Sequence, residues 1–290
     1  MTLWHVIVLA IVQGLAELLP VSSSAHVIVA EELMGMNPVA PEMTLLLVML
    51  HTGTMFAVIV YFWRRWRRAF FQSWADFKSF AVALIVATLL TGLVGGTIIE
   101  AIEKVYLRGQ PHAWIEEFFG RLNLIAAALA AVGLLILIAG LAEKRAKAAG
   151  SGTSGAEMTP KQYALIGAVQ GLALPFRGFS RSGATISTGM LAGVRKALSE
   201  DFSFALAVVL TPAAIAREAW RLVQMRHLHQ TAALATAFAP SLVGAVFAFL
   251  AGLLALKWLS RWLETGKWWI FGVYCLLAAC VVAFLYHAGH

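Results

Sequence analysis

Two polar segments interrupt an otherwise apolar chain, and they hold the residues whose types and spacing could do chemistry. The first reads Gln13-Gly-Leu-Ala-Glu17-Leu-Leu-Pro20-Val-Ser22-Ser23-Ser24-Ala-His26. Gln13 and Glu17 are four apart and share one face of a helix. Pro20 predicts the end of that helix, and the serines are natural N-caps for a second one, with His26 in its first turn or so. The second segment reads Pro175-Phe-Arg177-Gly178-Phe-Ser180-Arg181-Ser182-Gly-Ala-Thr185. It repeats the break, the hydroxyls and the helix start, but carries Arg181 in place of the acid. Helix N-termini, hydroxyls and a guanidinium suit a multiply charged anion, with phosphate the natural candidate. Glu17 and His26 add what hydrolysis needs, a base and a nucleophile or metal ligand.

Several of these residues also have a plainer role. Serines beside a proline break are usually caps, and His5, His51 and His112 are read as hydrogen-bonded structural residues. Glu17 and Arg181 are read as functional, because burying a charge in an apolar segment is expensive. Arg177 is read either as a second phosphate contact or as a charge reaching the membrane interface.

The elements that position these segments follow from composition. Of 290 residues 60% are hydrophobic and 13% charged, with a mean hydropathy of +0.80, which calls for a lipid solvent. Six windows reach spanning length: residues 43–62, 80–101, 123–142, 202–216, 231–256 and 268–287. The window 202–216 is short and extends only by tolerating Arg217 and Glu218. The net charge of +7 sits in short basic clusters at the ends of spans, above all Arg64, Arg65, Arg67 and Arg68, so it reads as an orientation signal rather than a nucleic-acid surface. Cys275 and Cys280 lie five apart on one apolar helix, which excludes a bridge between them within that helix. The apolar N-terminus lacks a basic flank and is interrupted by Glu17, so it is read as retained.

The sequence Val12-Gln-Gly-Leu-Ala16 recurs as Val169-Gln-Gly-Leu-Ala173, 157 residues on, and Ser23 falls on Ser180 at the same offset. This predicts an internal repeat. The halves are residues 1–142 and 161–290, joined by a cytoplasmic linker at 143–160 that contains a Gly/Ser-rich stretch. Each half opens with two apolar runs too short to span, read as a re-entrant helix–loop–helix, and continues with three spans. The basic clusters put residues 64–68 and 143–147 inside and the 103–121 loop outside. The 217–230 loop also falls outside despite its positive charge. Three spans per half invert the second copy, giving an all-α polytopic protein with six transmembrane helices and two re-entrant hairpins whose tips meet near the midplane.

At these motifs the chain resembles the bacterial undecaprenyl-diphosphate phosphatases of the bacitracin-resistance type. The resemblance rests on Gln13-x-x-x-Glu17 with Leu19-Pro-Val-Ser-Ser-Ser-Ala-His26, on Gly178-Phe-Ser-Arg-Ser-Gly-Ala-Thr185, and on Phe202-Ser-Phe. It runs over essentially the whole chain. It implies hydrolysis of undecaprenyl diphosphate to the monophosphate carrier and inorganic phosphate in the bacterial cytoplasmic (inner) membrane, in support of cell-wall synthesis and bacitracin resistance. It further implies Glu17, Ser23, His26 and Arg181 as the catalytic set. Ser22, Ser24, Gly178, Ser180, Ser182 and Thr185 would surround the substrate, and Gln13 with Glu17 would hold a Mg²⁺ or Ca²⁺ ion. Ser23 and His26 both stand as nucleophile. The pattern departs in three places: Gln13 stands where the family often has Glu, Ala25 where a Gly commonly precedes the His, and Arg177-Gly178 where Pro-Gly is usual. Expected partners are the polyprenyl diphosphate, membrane lipids and, left open, a second copy in a homodimer. A lipid-phosphate transporter or flippase using the same anion site is the rival reading. The other membrane phosphatase superfamily fits poorly, because Ser187 stands where its histidine is required.

Overall fold

The computed structural model describes residues 2–36, 40–106, 121–149, 158–226 and 231–288. The linker's Gly/Ser stretch and His112 lie outside them. The described residues form ten helices: α1 (Leu3–Leu18), α2 (Ser23–Leu33), α3 (Pro41–Phe70), α4 (Trp74–Tyr106), α5 (Leu122–Ala148), α6 (Pro160–Ala173), α7 (Arg181–Leu191), α8 (Lys196–Arg226), α9 (Thr231–Glu264) and α10 (Trp268–Ala288). Two short helices followed by three long ones is the order, twice over. The short ones have 16, 11, 14 and 11 residues. At about 1.5 Å per residue even the longest reaches only about 24 Å, less than a hydrocarbon core of about 30 Å.

Six helices are long and apolar enough to cross a membrane: Glu42–Phe70, Trp74–Val105, Leu122–Ala148, Lys196–Arg217, Thr236–Glu264 and Trp268–Ala288. All six expected windows fall on these helices, and the helices outrun them. The largest correction is the short window at 202–216. Its helix begins at Lys196 and runs through Arg226, so most of the 217–230 segment expected as a loop is helix. The extra turns carry Glu200 and Asp201, both buried, and Glu200 accepts a hydrogen bond from the Ser260 hydroxyl at 2.6 Å. A paired carboxylate can stay inside where an unpaired one would be expelled.

By contacts the chain forms two compact units, and each draws on both halves of the sequence. The first comprises residues 1–19, 23–66 and 207–259; the second comprises 20–22, 67–206 and 260–290. In the first unit α1 buries Val6, Leu9, Ala10, Gln13 and Gly14, an i, i+3, i+4, i+7, i+8 stripe. Its apolar part packs with Val27 of α2, Met43, Leu46 and Leu50 of α3, and Ala248 of α9. The helices come very close. A Cβ on Gly14 would lie 2.6 Å from the Ala248 carbonyl oxygen, and one on Gly53 would lie 2.2 Å from that of Ala245. In lipid, where apolar surface gains nothing by leaving water, such close backbone approach supplies the packing.

The second unit uses the same device. A Cβ on Gly171 would meet Val94 at 2.7 Å and the Thr91 carbonyl oxygen at 2.9 Å, and one on Gly167 would meet the Ala87 carbonyl oxygen at 2.4 Å. The Thr91 hydroxyl, fully buried, sits at the same crossing within 2.8 Å of the Ala87 carbonyl oxygen and 2.9 Å of that of Gly167, and it accepts from the Gln170 amide at 3.2 Å. The α1–α9 and α6–α4 crossings correspond residue by residue at the 157-residue offset: Gly14 with Gly171, and Ala248 with Thr91. Elsewhere in this unit α5 and α10 interlock at Gly133 and Gly272, where a Cβ on Gly272 would lie 2.6 Å from the Leu137 amide nitrogen.

Gly167→Ala is expected to destabilise the protein by about 1–3 kcal/mol, since the added methyl meets backbone that cannot swing away. Gly96→Ala, with nothing within 4 Å of the new Cβ, serves as the control. Thermal unfolding of the detergent-solubilised variants checks this; equal melting temperatures would refute the close-packing account.

Candidate functional site

The stripe that buries α1 ends in polar chemistry. Gln13 is 1% exposed and directs its amide N–H to the Glu17 carboxylate, Nε2 to Oε2, at 3.2 Å. Helix α1 stops at Leu18, and its C-cap Leu19 turns to extended backbone, the conformation favoured before a proline. Ser22 then takes φ 69°, a left-handed conformation that costs a non-glycine residue about 1 kcal/mol. That reversal starts α2 at Ser23, whose hydroxyl donates back to Glu17 Oε2 at 2.5 Å. A carboxylate and a primary hydroxyl are thus in direct hydrogen bond across the break, the arrangement of an alcohol held by its base. His26 lies one turn along α2 and is partly buried.

The same carboxylate faces a residue read from sequence as structural. His51, on α3, places Nε2 3.9 Å from Glu17 Oε2, and its Nδ1 is 2.8 Å from the Leu47 carbonyl oxygen. The hydrogen bond expected of a structural histidine is there, but so is Glu17. A signal existed: His51 is the one residue of the Asp, Glu, His, Lys and Arg types in the apolar window 43–62, and the rule applied to Glu17 applies to it too.

In the second unit the turn before α7 is built for close approach. Gly178 has φ 97°, and a Cβ there would lie 2.6 Å from the Ile125 carbonyl oxygen, so glycine is required. Ser180 caps α7 by accepting from the Gly183 amide at 3.2 Å, and Arg181 is the first helical residue. Arg181 is partly buried, whereas Arg177 is exposed. Ser180 and Ser182 are buried with hydroxyls 3.5 Å apart. Thr185 is fully buried. Its hydroxyl lies 2.8 Å from the Arg181 carbonyl oxygen and 2.5 Å from the Ser203 hydroxyl, so it anchors this helix start to α8. Ser187 accepts the Trp268 indole N–H at 2.9 Å and is likewise engaged in packing. Residues 20–22, the crest of the first break, belong to this unit: Cys275 Sγ donates to the Pro20 carbonyl oxygen at 3.3 Å, and a Cβ on Gly183 would lie 3.3 Å from Pro20 Cβ.

No three His, Cys, Asp or Glu side chains gather as a metal cluster among the described residues. On α1 a cation would find one carboxylate, Glu17, with Gln13 turning its amide N–H toward it. That donor set fits a hard ion whose remaining ligands are water and phosphate oxygens, as is common for Mg²⁺, and does not fit an ion caged by protein alone.

The model of the family described as bacitracin resistance protein BacA matches residues 6–281. An undecaprenyl-diphosphatase 2 of Acinetobacter baylyi is 53% identical over 285 residues, 97% of each chain. An undecaprenyl-diphosphatase 1 of Burkholderia pseudomallei is 34% identical over 301 residues, 99% of each chain, and an undecaprenyl-diphosphatase 2 of Burkholderia thailandensis is 33% identical over the same length and share. With the family model covering nearly the whole chain and the relatives aligning end to end, this multi-pass membrane protein belongs to the BacA family.

Proposed function

We propose that the protein is an undecaprenyl-diphosphate phosphatase of the bacterial cytoplasmic membrane, recycling the lipid carrier of cell-wall synthesis and conferring bacitracin resistance, with Ser23 as nucleophile and Glu17 as its base. The observation that carries the assignment of roles is the 2.5 Å hydrogen bond from Ser23 to Glu17. It supports Ser23 in preference to His26, because a hydroxyl already donating to a carboxylate has a place to leave its proton.

In this reading Ser23 Oγ attacks the terminal phosphorus. The Oγ–P bond forms as the bond from phosphorus to the bridging oxygen breaks, and the lipid monophosphate leaves with that oxygen. Glu17 takes the hydroxyl proton and passes it to solvent. Arg181 and the amides at the start of α7 hold the phosphoryl oxygens, a geometry in which a planar two-pronged donor outperforms a point charge. Family membership over residues 6–281, a span that takes in both motifs, supports bringing them to one substrate. His26, one turn into α2, contacts the diphosphate. A divalent ion held by Glu17 beside Gln13 would supply neutralisation of phosphate charge when bound. The matched glycine crossings support the further proposal that residues 1–142 and 161–290 are inverted repeats joined by a cytoplasmic linker, with α1–α2 and α6–α7 as re-entrant hairpins.

Phosphate release from a C55 lipid diphosphate by the purified protein, with and without chelator, tests the activity. Binding without release would favour a carrier over an enzyme. Ser23→Ala is expected to abolish turnover in a folded, membrane-inserted protein, and Arg181→Lys to lose most of it, by about 100-fold or more, the scale of a lost transition-state donor. Near-normal rates in either variant would remove that residue from its role.

Gln13→Glu is expected to lower the Mg²⁺ or Ca²⁺ concentration needed for half-maximal turnover, because a second anionic oxygen on the Glu17 face adds charge for a hard cation. A metal titration of the two forms decides. An unchanged or weaker cation dependence would leave Gln13 as a brace for Glu17 only.

A further inference from the structure

We infer that His51 and Glu17 together hold the water that releases inorganic phosphate, an inference that rests on the Ser23-phosphoryl reading above and adds a residue to it. A carbonyl oxygen can only accept, so the 2.8 Å contact between His51 Nδ1 and the Leu47 carbonyl oxygen puts the ring proton on Nδ1. With Nδ1 committed to Leu47, Nε2 is the nitrogen that faces Glu17 Oε2, at 3.9 Å, too far for a direct hydrogen bond. At this separation one water can donate a hydrogen to each at lengths of about 2.8–2.9 Å, with an angle at its oxygen of roughly 86°, so each hydrogen bond bends by only about 10°. Its lone pairs then point away from both, ready for attack. The pair is reachable, since the His51 side chain is 38% exposed while Glu17 is 14% exposed.

The position on Glu17 Oε2 also changes occupant at the right moment. Before reaction it receives the Ser23 hydroxyl. Once Ser23 Oγ carries the phosphoryl group it has no proton to donate, and the water's hydrogen takes that place. In the second step the water oxygen bonds to phosphorus as the Oγ–P bond breaks. The hydrogen on the Glu17 side passes through the carboxylate to Ser23 Oγ. The hydrogen on the His51 side stays with its oxygen and becomes the hydroxyl of the released hydrogen phosphate. Serine and carboxylate return to their starting forms, and His51 orients the water without changing its own protonation.

Geometry fixes His51 for this task. Helix α3 packs Leu46 and Leu50 against Val6, Leu9 and Ala10 of α1, so the neighbouring His51 is set against the Glu17 end of the same stripe. The ring is turned by its bond to Leu47, one helical turn before it.

The test follows both steps separately, using the full-length protein and a C55 diphosphate labelled in the terminal phosphate. His51→Leu is expected to release one equivalent of lipid monophosphate at near wild-type speed, to accumulate label on Ser23, and to lose about 100-fold in kcat, the scale of a misplaced reactant, with KM falling in step so that kcat/KM is little changed. His51→Gln, whose amide oxygen can accept near the place of Nε2, is expected to restore a large part of kcat. An unchanged kcat in His51→Leu would overturn the inference. So would a loss with no label on Ser23, a loss appearing in KM alone, or recovery of His51→Leu by added Mn²⁺, which would make His51 a cation ligand. If His51→Leu does not insert, the apolar His51→Met takes its place: label on Ser23 with slowed release supports the role, and wild-type behaviour overturns it. A wild-type protein that releases no phosphate would defeat the phosphatase reading itself, an outcome distinct from all of these.

Discussion

A carboxylate set among apolar helices is stable only where hydrogen-bond donors replace the water it has lost, and the first unit is organised around meeting that condition for Glu17. The donors come from both sides of a chain reversal: Gln13 one turn before it on α1 and Ser23 at the start of α2. The reversal exists because Pro20 cannot continue α1 and Ser22 accepts a left-handed backbone. Helix α1 can in turn carry two polar residues inward because the rest of its stripe is anchored by Val6, Leu9 and Ala10, and because Gly14 lets α9 approach to backbone contact. Relaxing that crossing would let water compete for Oε2, and the Ser23 hydroxyl would lose its partner.

The parts of this arrangement that depend on local spacing were legible in the sequence. Gln13 and Glu17 fall on one face by helical period, and Pro20 with the serines marks a break and a restart. The spans were legible through their apolar windows, but not their ends. Helices continue past the hydrocarbon core wherever backbone bonds can still form, as in the turns of α3 that carry Arg64, Arg65, Arg67 and Arg68. Arg65 lies over the Phe62 ring at 5.1 Å, so the charge stays on the helix while its stem covers apolar surface. The N-terminal extension of α8 was hidden for a different reason. Glu200 looks like the end of a span until Ser260, distant in sequence, is found donating to it.

Tertiary contact also supplies what spacing leaves open around the site. Nothing in the spacing of His51 distinguishes a histidine bonded to its own helix from one that also faces a carboxylate on another helix. Among the hydroxyls, composition could not say which ones face a ligand and which hold helices together. Thr185 and Ser187 are engaged with Ser203 and Trp268, while Ser180 caps the helix that begins with Arg181. In a medium without water a buried hydroxyl must find a partner, so the same residue type serves packing and chemistry side by side.

The two short helix pairs carry different side chains at matched positions. At the 157-residue offset Gln13 corresponds to Gln170, yet Gln13 donates to a carboxylate and Gln170 to the Thr91 hydroxyl at a helix crossing. Glu17 corresponds to Leu174, His26 to Gly183, and Ser23 to Ser180, a helix-initiating serine in both pairs. One pair has kept the acid and histidine, whereas the other has an arginine at the first position of α7. A carboxylate repels an anion, whereas a guanidinium at a helix N-terminus attracts one, so the two pairs differ in the charge they offer. The glycine crossings recur at the 157-residue offset while the charged residues differ, so matched helix packing does not require matched charge.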